Sequence, residues 1–196
     1  MEPVKVTTPP SEIVWNGKTY PVAWKARPDG GFWVDNWFSN MHVCQLPIYH
    51  KGLAFNSVEA AYQAAKYTDP LKIKAIQDAP FPQRTKTMTR NWQIETPNWE
   101  SHRLGVMWSL CCQKWSQPKH KEQLLAHKGE QCEFANWNDA FWAVVISTDG
   151  TVKGGQNFLG RIVTEIRERI EQGKDFAQPA WLVPPPKPLE PQLTLL

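Results

Sequence analysis

Four prolines, at positions 70, 82, 97 and 118, cut the middle of this 196-residue chain into segments, and each stands where a helix can begin. Proline fixes φ near −65° and removes a backbone donor that the first helical turn leaves unpaired anyway, so it opens helices and breaks their interiors. Asp69-Pro70 joins a capping side chain to the proline and predicts a helix ending before Ala79-Pro80. Pro82 opens a short helix through Arg90. Thr96-Pro97 starts the longest one, to about Trp115, with Trp99, Arg103, Val106, Met107, Leu110 and Cys111 recurring at helical spacing. Pro118 opens another to His127, and Gly129 stands where a C-terminal cap belongs.

The flanks carry the strands. Ile13-Val-Trp15, Asn16-Gly17 and Lys18-Thr-Tyr20 read as a hairpin, because Asn-Gly supplies the two positive φ angles of a type I′ turn. Residues 46–49 and 53–55 form a second candidate around His50-Lys51-Gly52. Ser57 is an N-cap for a helix to about Tyr67, with Glu59 in the first turn where the helix dipole favours an anion. Residues 141–146 read as a buried strand ended by Thr148-Asp149-Gly150. The last helix, 157–172, carries Leu159, Ile162, Val163, Ile166 and Ile170 on one stripe; Asn157 caps it, Gly160 lets it pack closely and Gly173 stops it. From Gln178 onward six prolines fall in nineteen residues, an extended tail whose Pro185-x-x-Pro188 also fits an SH3- or WW-type ligand. The expectation is a single helix-rich α+β domain with short strands at residues 32–173. An N-terminal hairpin extension at 1–31 precedes it, and a proline-rich tail at 174–196 follows.

Several function classes fall away. Hydrophobic residues make up 41% and charged residues 21%, enough for a real core. The net charge of +3 neither demands nor forbids a polyanionic partner, and no run of like charge forms a nucleic-acid arm. The longest apolar stretch, 141–146, is far below the roughly 20 residues that span a bilayer. Met-Glu-Pro-Val-Lys-Val lacks a signal peptide's apolar core, so no membrane association and a cytoplasmic location are expected. Cys44, Cys111, Cys112 and Cys132 make no C-x-x-C, and the histidines make no H-E-x-x-H. Cys111 and Cys112 read as buried thiols, and His102 and His120 as exposed helix residues. No metal and no cofactor are expected.

The most informative segment is Ser57-Val-Glu-Ala-Ala-Tyr-Gln-Ala-Ala-Lys66. Glu59, Gln63 and Lys66 fall at i, i+4 and i+7, on one helix face, beside an apolar face of Val58, Ala61, Tyr62 and Ala65. A solvated polar stripe is the bland alternative. Three other clusters share the mixture of polar groups and rings: Trp37-Phe38-Ser39-Asn40, the stretch from Arg84 through Lys86 and Arg90 to Trp92, and Asn136-Trp137-Asn138-Asp139 with Phe141-Trp142. Such mixtures suit a pocket that stacks a planar base on indole while cations hold phosphate. The competing reading makes the eleven tryptophans core and the cations surface.

Phe38-Ser-Asn40, Ser57-Val-Glu-x-x-Tyr-Gln-Ala-Ala-Lys66 and Lys86-x-x-x-Arg90 are similar to successive motifs of the NADAR, or YbiA-like, family. So are residues 99–114, Asp139-x-Phe-Trp142 and Gly155-Gln-Asn157-Phe-Leu-Gly160, in collinear order from residue 32 to residue 171. The resemblance implies a YbiA-like fold and an N-glycosidase acting on ribosyl–amine bonds. Its implied substrates are a riboflavin-pathway phosphoribosylamino-pyrimidine or ADP-ribose on guanine, the latter making ADP-ribosylated nucleic acid a possible partner. The chain carries Phe38, Met41, Ala60 and Ala143 where the family usually has Leu, Phe, His and Gly. Position 60 lies about 100° around the helix from Glu59, so Ala60 is expected to tune the site wall rather than remove the acid.

Cleaving a ribosyl–amine bond needs charge to develop at C1 and a proton delivered to the leaving nitrogen. Glu59 is the expected acid–base group. A neutral lysine offers a second route, attacking C1 to form an imine, with Lys66 or Lys86 as the candidate. Asp139 is a second carboxylate or a turn cap. Asn40 and Gln63 are expected to bond ribose hydroxyls; Arg84, Lys86 and Arg90 to hold phosphate; Trp92 and Trp142 to stack the base. Arg161 reads as a surface residue within reach of phosphate. The rival reading is a non-catalytic module that binds ADP-ribose or a nucleotide. Oligomeric state is not legible.

Overall fold

The computed structural model describes residues 12–21, 36–135, 137–147 and 149–182. Trp24, Trp33, Asn136, Thr148 and the Pro184–186 run with its Pro185-x-x-Pro188 pattern lie outside the described residues.

Strand β1 (Glu12–Trp15) pairs antiparallel with β2 (Lys18–Pro21) across Asn16 and Gly17, both at positive φ as a type I′ turn requires. The hairpin is packed, not pendant. Ile13 and Tyr20 are buried in a small core with Phe134, Val144 and Ile146. The second hairpin, β3 (Ile48–His50) and β4 (Leu53–Phe55), turns through Lys51 and Gly52, again both at positive φ. Helix α1 (Val58–Ala64) follows, capped by Ser57, whose Oγ accepts the Ala60 N–H at 3.1 Å. It ends short of Tyr67 because Lys66 and Tyr67 donate to carbonyls only three residues back, and Lys66 O is taken by Glu95 N and Thr96 N from a crossing strand of loop.

Asp69 Oδ1 accepts the Leu71 N–H at 2.8 Å and opens α2 (Pro70–Gln77); Pro82 opens α3 (Pro82–Thr89). The longest helix, α4 (Trp99–Trp115), starts two residues later than Pro97 suggests, because Asn98 takes the left-handed conformation through which an α-helix does not propagate. Near its C-terminal end two glutamines act as a substitute strand. Gln113 accepts from Tyr49 N at 2.7 Å and donates to Tyr49 O at 2.9 Å, and Gln117 does the same for Leu46, satisfying backbone at the open edge of β3.

After α5 (Pro118–Ala126) come β5 (Phe134–Ala135), β6 (Val144–Ile146) and β7 (Val152–Gly155), in the order β5-β6-β7, with β5 parallel and β7 antiparallel to β6. Only the second half of the expected 141–146 strand is strand. The carbonyls of Phe141 and Trp142 instead accept from Phe158 N and Leu159 N, supplying partners to the first turn of α6 (Phe158–Glu171). Asn157 also departs from expectation: its side chain does not cap α6 but clamps Gln131 O and Glu133 N at 2.9 and 3.0 Å. Gly160 has no room for a Cβ beside Asn157 and Gln131.

One large core gathers α1, α4 and the inner stripe of α6, with α4 touching both of the others. All four cysteines are buried free thiols. His120, expected on the surface, is buried against Trp115, and desolvation lowers its pKa to about 4. Among the described residues no helix is long and apolar enough to cross a membrane.

Candidate active site

Helix α1 is surrounded by α2, α3, α4 and the second hairpin, and every one of its residues is buried. A polar residue there cannot escape to bulk water, so it faces another polar group or a cavity. One cavity of about 340 Å³ opens along its Glu59–Gln63–Lys66 face. Glu59 is 7% and Gln63 5% exposed, which removes the solvated-stripe alternative.

The three side chains form one hydrogen-bonded chain. Gln63 Nε2 donates to Glu59 Oε1 at 2.8 Å, and Lys66 Nζ donates to Gln63 Oε1 at 2.8 Å. Thr89 Oγ1, reaching in from α3, lies 2.9 Å from Gln63 Oε1 and also 2.9 Å from Thr85 O, two acceptors that share its one hydrogen. Lys66 Nζ lies 5.0 Å from the centre of the Tyr62 ring. Burial pushes the Lys66 pKa down and Lys86 adds to the effect, against the opposing pull of Glu59, Asp139 and Glu100.

The rest of the wall comes from three other elements. Asn40 follows a 3-10 turn, Asn36–Phe38, whose carbonyls are held by the buried Lys114: its Nζ donates to Trp37 O, Phe38 O and Ser39 O at 2.7, 3.2 and 2.9 Å. The Asn40 carbonyl then accepts the Glu59 N–H at 2.9 Å, tying this turn to the start of α1. From α4 come Trp99 and Arg103; from the loop before β6 come Trp137, Asp139, Phe141 and Trp142. Tyr62 packs against Trp99 and Trp142 with ring centres 5.2 and 5.6 Å apart. Arg103 lies flat on Phe141, 3.4 Å from its centre, pairs with Glu100 at 2.8 Å, and keeps a buried Nε without a protein partner. Lys86 Nζ stands 5.4 Å over Trp137.

The expected site residues thus divide. Glu59, Gln63, Lys66, Lys86, Asn40, Asp139 and Trp142 line the cavity. Two of them are engaged differently than expected: both ends of the Gln63 amide are taken within the protein, and the Asn40 amide is turned inward onto Met107 Sδ and the Cys111 thiol. Asp139 also takes the turn-cap role, accepting the Trp142 N–H at 3.2 Å. Arg84, Arg90 and Trp92 do not line the cavity. The inner face of α3 is Pro82, Thr85 and Thr89, which leaves Arg84 and Arg90 exposed. Trp92 packs on Tyr67 at 5.3 Å, beneath Lys72. Ala60 belongs to the core and not to the cavity wall, so a change there acts through packing. Arg161 stacks over Trp181, outside the cavity.

Sequence reasoning passed over Arg103, Trp99 and Trp137 as site residues. The signal was present: Trp99, Arg103 and Met107 recur every four residues along α4, and a guanidinium inside an otherwise apolar stripe asks for a buried partner.

The chain is thus a helix-rich α+β domain whose buried central helix presents carboxylate, amide and amine to one aromatic-walled cavity, groups fit for acid–base and nucleophilic chemistry. The chain belongs to the NADAR domain family, which matches residues 24–171. It is 29% identical over 138 residues to a riboflavin biosynthesis protein of Vibrio vulnificus strain YJ016, covering 68% of this chain but only 35% of that protein. It is 25% identical over 169 residues to the Caenorhabditis elegans protein irg-1, covering 80% of this chain and 76% of that one. The NMR structure of the Escherichia coli protein YbiA has the same fold, with a TM-score of 0.59 and 28% identity, covering 71% of this chain and 82% of that one.

Proposed function

We propose that this chain is an N-glycosidase that hydrolyses the bond between a phosphorylated ribose and an amino-bearing base. The observation that carries the reading is the buried Glu59–Gln63–Lys66 chain, open to a cavity walled by indole rings. Family membership supports hydrolase chemistry of this kind.

Lys66 is the nucleophile in this reading: its amine lies on the cavity wall, and burial lowers its pKa, in the direction that favours the neutral form. Its Nζ attacks ribosyl C1, the C1–N bond to the base breaks, and the ring oxygen leaves C1 as a hydroxyl. The product is an imine between Nζ and the opened sugar. Glu59 gives its proton to the departing nitrogen and recovers one from Nζ through water; the second Nζ proton goes to the ring oxygen. Water then adds to the imine carbon, which returns Lys66 as the amine and releases the sugar. Trp142 and Trp137 offer flat faces to the base. Arg103, the guanidinium on the cavity wall, takes over the phosphate role expected of Arg84 and Arg90. Among the two expected substrates the phosphoribosylamino-pyrimidine is placed first. The cavity is at the small end of ligand pockets, and its three cations face four carboxylates, a balance that fits one phosphate better than two.

The test is turnover of a phosphoribosylamino-pyrimidine and of an ADP-ribosylated guanine oligonucleotide by wild type, Glu59→Gln, Lys66→Met and Lys86→Met, with borohydride present in a parallel series. Base release by wild type and a borohydride adduct lost only in Lys66→Met are expected. Turnover without any adduct would leave Glu59 and water as the mechanism. Binding of ADP-ribose without turnover of either substrate would make the chain a binding module.

A further inference from the structure

Glu59 and Lys66, an acid and an amine, line one wall of the same cavity, yet they do not pair with each other. Seven residues, the last two in the turn that ends α1, separate their Cα atoms by about 10 Å, a gap that two long side chains can close. Gln63 sits between them and bonds to both. Its orientation is set by those two partners: turned over, the amide would set an N–H group against the Lys66 ammonium and its oxygen against the Glu59 carboxylate.

We infer that Gln63, held between Glu59 and Lys66, is a positioning residue that serves as a neutral spacer, holding Lys66 by one N–H while denying it a carboxylate partner. An amine that donates one hydrogen to Gln63 Oε1 directs its lone pair elsewhere, toward the cavity. A carboxylate in the same place would do the opposite and trap the ammonium. The groups facing Lys66 are Glu59 from its own helix, Lys86 from α3, Glu100 from α4 and Asp139 from the loop before β6. None of the three carboxylates is a direct hydrogen-bond partner of Nζ; the spacer is.

The consequence for rate rests on the glycosidase reading, but the inference about Lys66 does not need a substrate to be tested. The pH dependence of Lys66 acylation, read on its peptide by mass spectrometry, reports its protonation in wild type, Gln63→Glu, Gln63→Met and Thr89→Val. Gln63→Glu is expected to move the labelling midpoint up by at least about one pH unit, a tenfold loss of free amine at neutral pH. Gln63→Met, which keeps the bulk and removes the acceptor, is expected to move it down. Thr89→Val removes a hydroxyl whose one hydrogen the Thr85 carbonyl also claims, and is expected to move it by less than either Gln63 variant. Opposite shifts for Glu and Met at one position are not what a merely structural residue produces. Midpoints that stay together in the folded variants overturn the inference, even if wild type turns substrate over. Shifted midpoints with no turnover of either substrate overturn the glycosidase reading and leave the spacer standing.

Discussion

Helices α1 and α6 each carry a polar pair four residues apart with the same geometry. Gln63 Nε2 lies 2.8 Å from Glu59 Oε1, and Arg169 Nε lies 2.8 Å from Glu165 Oε1. The surroundings differ. In α6 burial follows the hydrophobic period except at Arg167, whose guanidinium is held by His127 O and Gly129 O: Leu159, Ile162, Val163 and Ile166 face the core, and the pair stands at the rim with side chains 17% and 28% exposed. In α1 the period fails, because Glu59 and Gln63 are buried beside Val58, Ala61 and Tyr62. Burying polar groups lowers stability unless each finds a partner, so a helix that does it without structural need is shaped by something other than folding.

The largest test of that contrast sets Glu59→Gln against Ile166→Ala. Glu59→Gln removes the proton carrier and keeps the volume, so turnover is expected to fall by about 10²–10⁴-fold while the thermal midpoint stays close to wild type. Ile166→Ala is expected to lose about 2–5 kcal/mol in urea denaturation, with kcat of the folded protein unchanged. A Glu59→Gln protein that unfolds as readily as Ile166→Ala, at unchanged kcat, would make both helices scaffolding.

A smaller effect sharpens the comparison through two lysines, one half-buried and one buried. Lys66 faces the cavity, whereas Lys114 is fully enclosed and fastens three carbonyls of the turn that carries Asn40. Burial pushes the Lys114 pKa down to about 8 from the 10.5 it has when unfolded. Between those values the unfolded chain holds the extra proton, so this group makes stability rise with pH across that window and adds no slope below it. The difference in urea midpoint between wild type and Lys114→Met is therefore expected to grow from pH 8 toward pH 10. A constant difference would show that the three carbonyls hold the ammonium charged throughout.

Much of this was legible from local chemistry. Pro70, Pro82 and Pro118 each stand at the start of a helix, and Asn16-Gly17 and Lys51-Gly52 each turn a hairpin, because these residues fix their own backbone angles. Long-range pairing was not legible. Strand β5 has two residues, too few for any period, and β7 contains Gly154 and Gly155, which carry no pattern. Pro97 misled because the conformation of Asn98 decides where α4 starts. At the site, the Glu59–Gln63–Lys66 face followed from helical spacing alone. Arg84, Arg90 and Trp92 were grouped with Lys86 by nearness in sequence, but one helix cannot point all its cations the same way. Arg103 was hidden because its partners, Glu100 aside, come from the distant loop that holds Phe141.

The smallest expected effect closes the comparison of the two pairs. Glu165→Gln removes a charge from the rim of α6, where water screens the pair and Arg169 keeps other support, its guanidinium lying 5.6 Å over Trp108 and bonded to Asp175 O at 3.0 Å. The loss in urea denaturation is expected to be about 0.3–0.5 kcal/mol and to shrink further in 1 M salt, with turnover untouched. Gln63→Met removes a contact of equal length from α1 where no salt reaches it, and its stability loss is expected to be the larger of the two and independent of ionic strength. Equal, salt-sensitive losses at both positions would mean that water enters the α1 cavity freely, and Lys66 would then have no dehydrated setting in which to remain an amine.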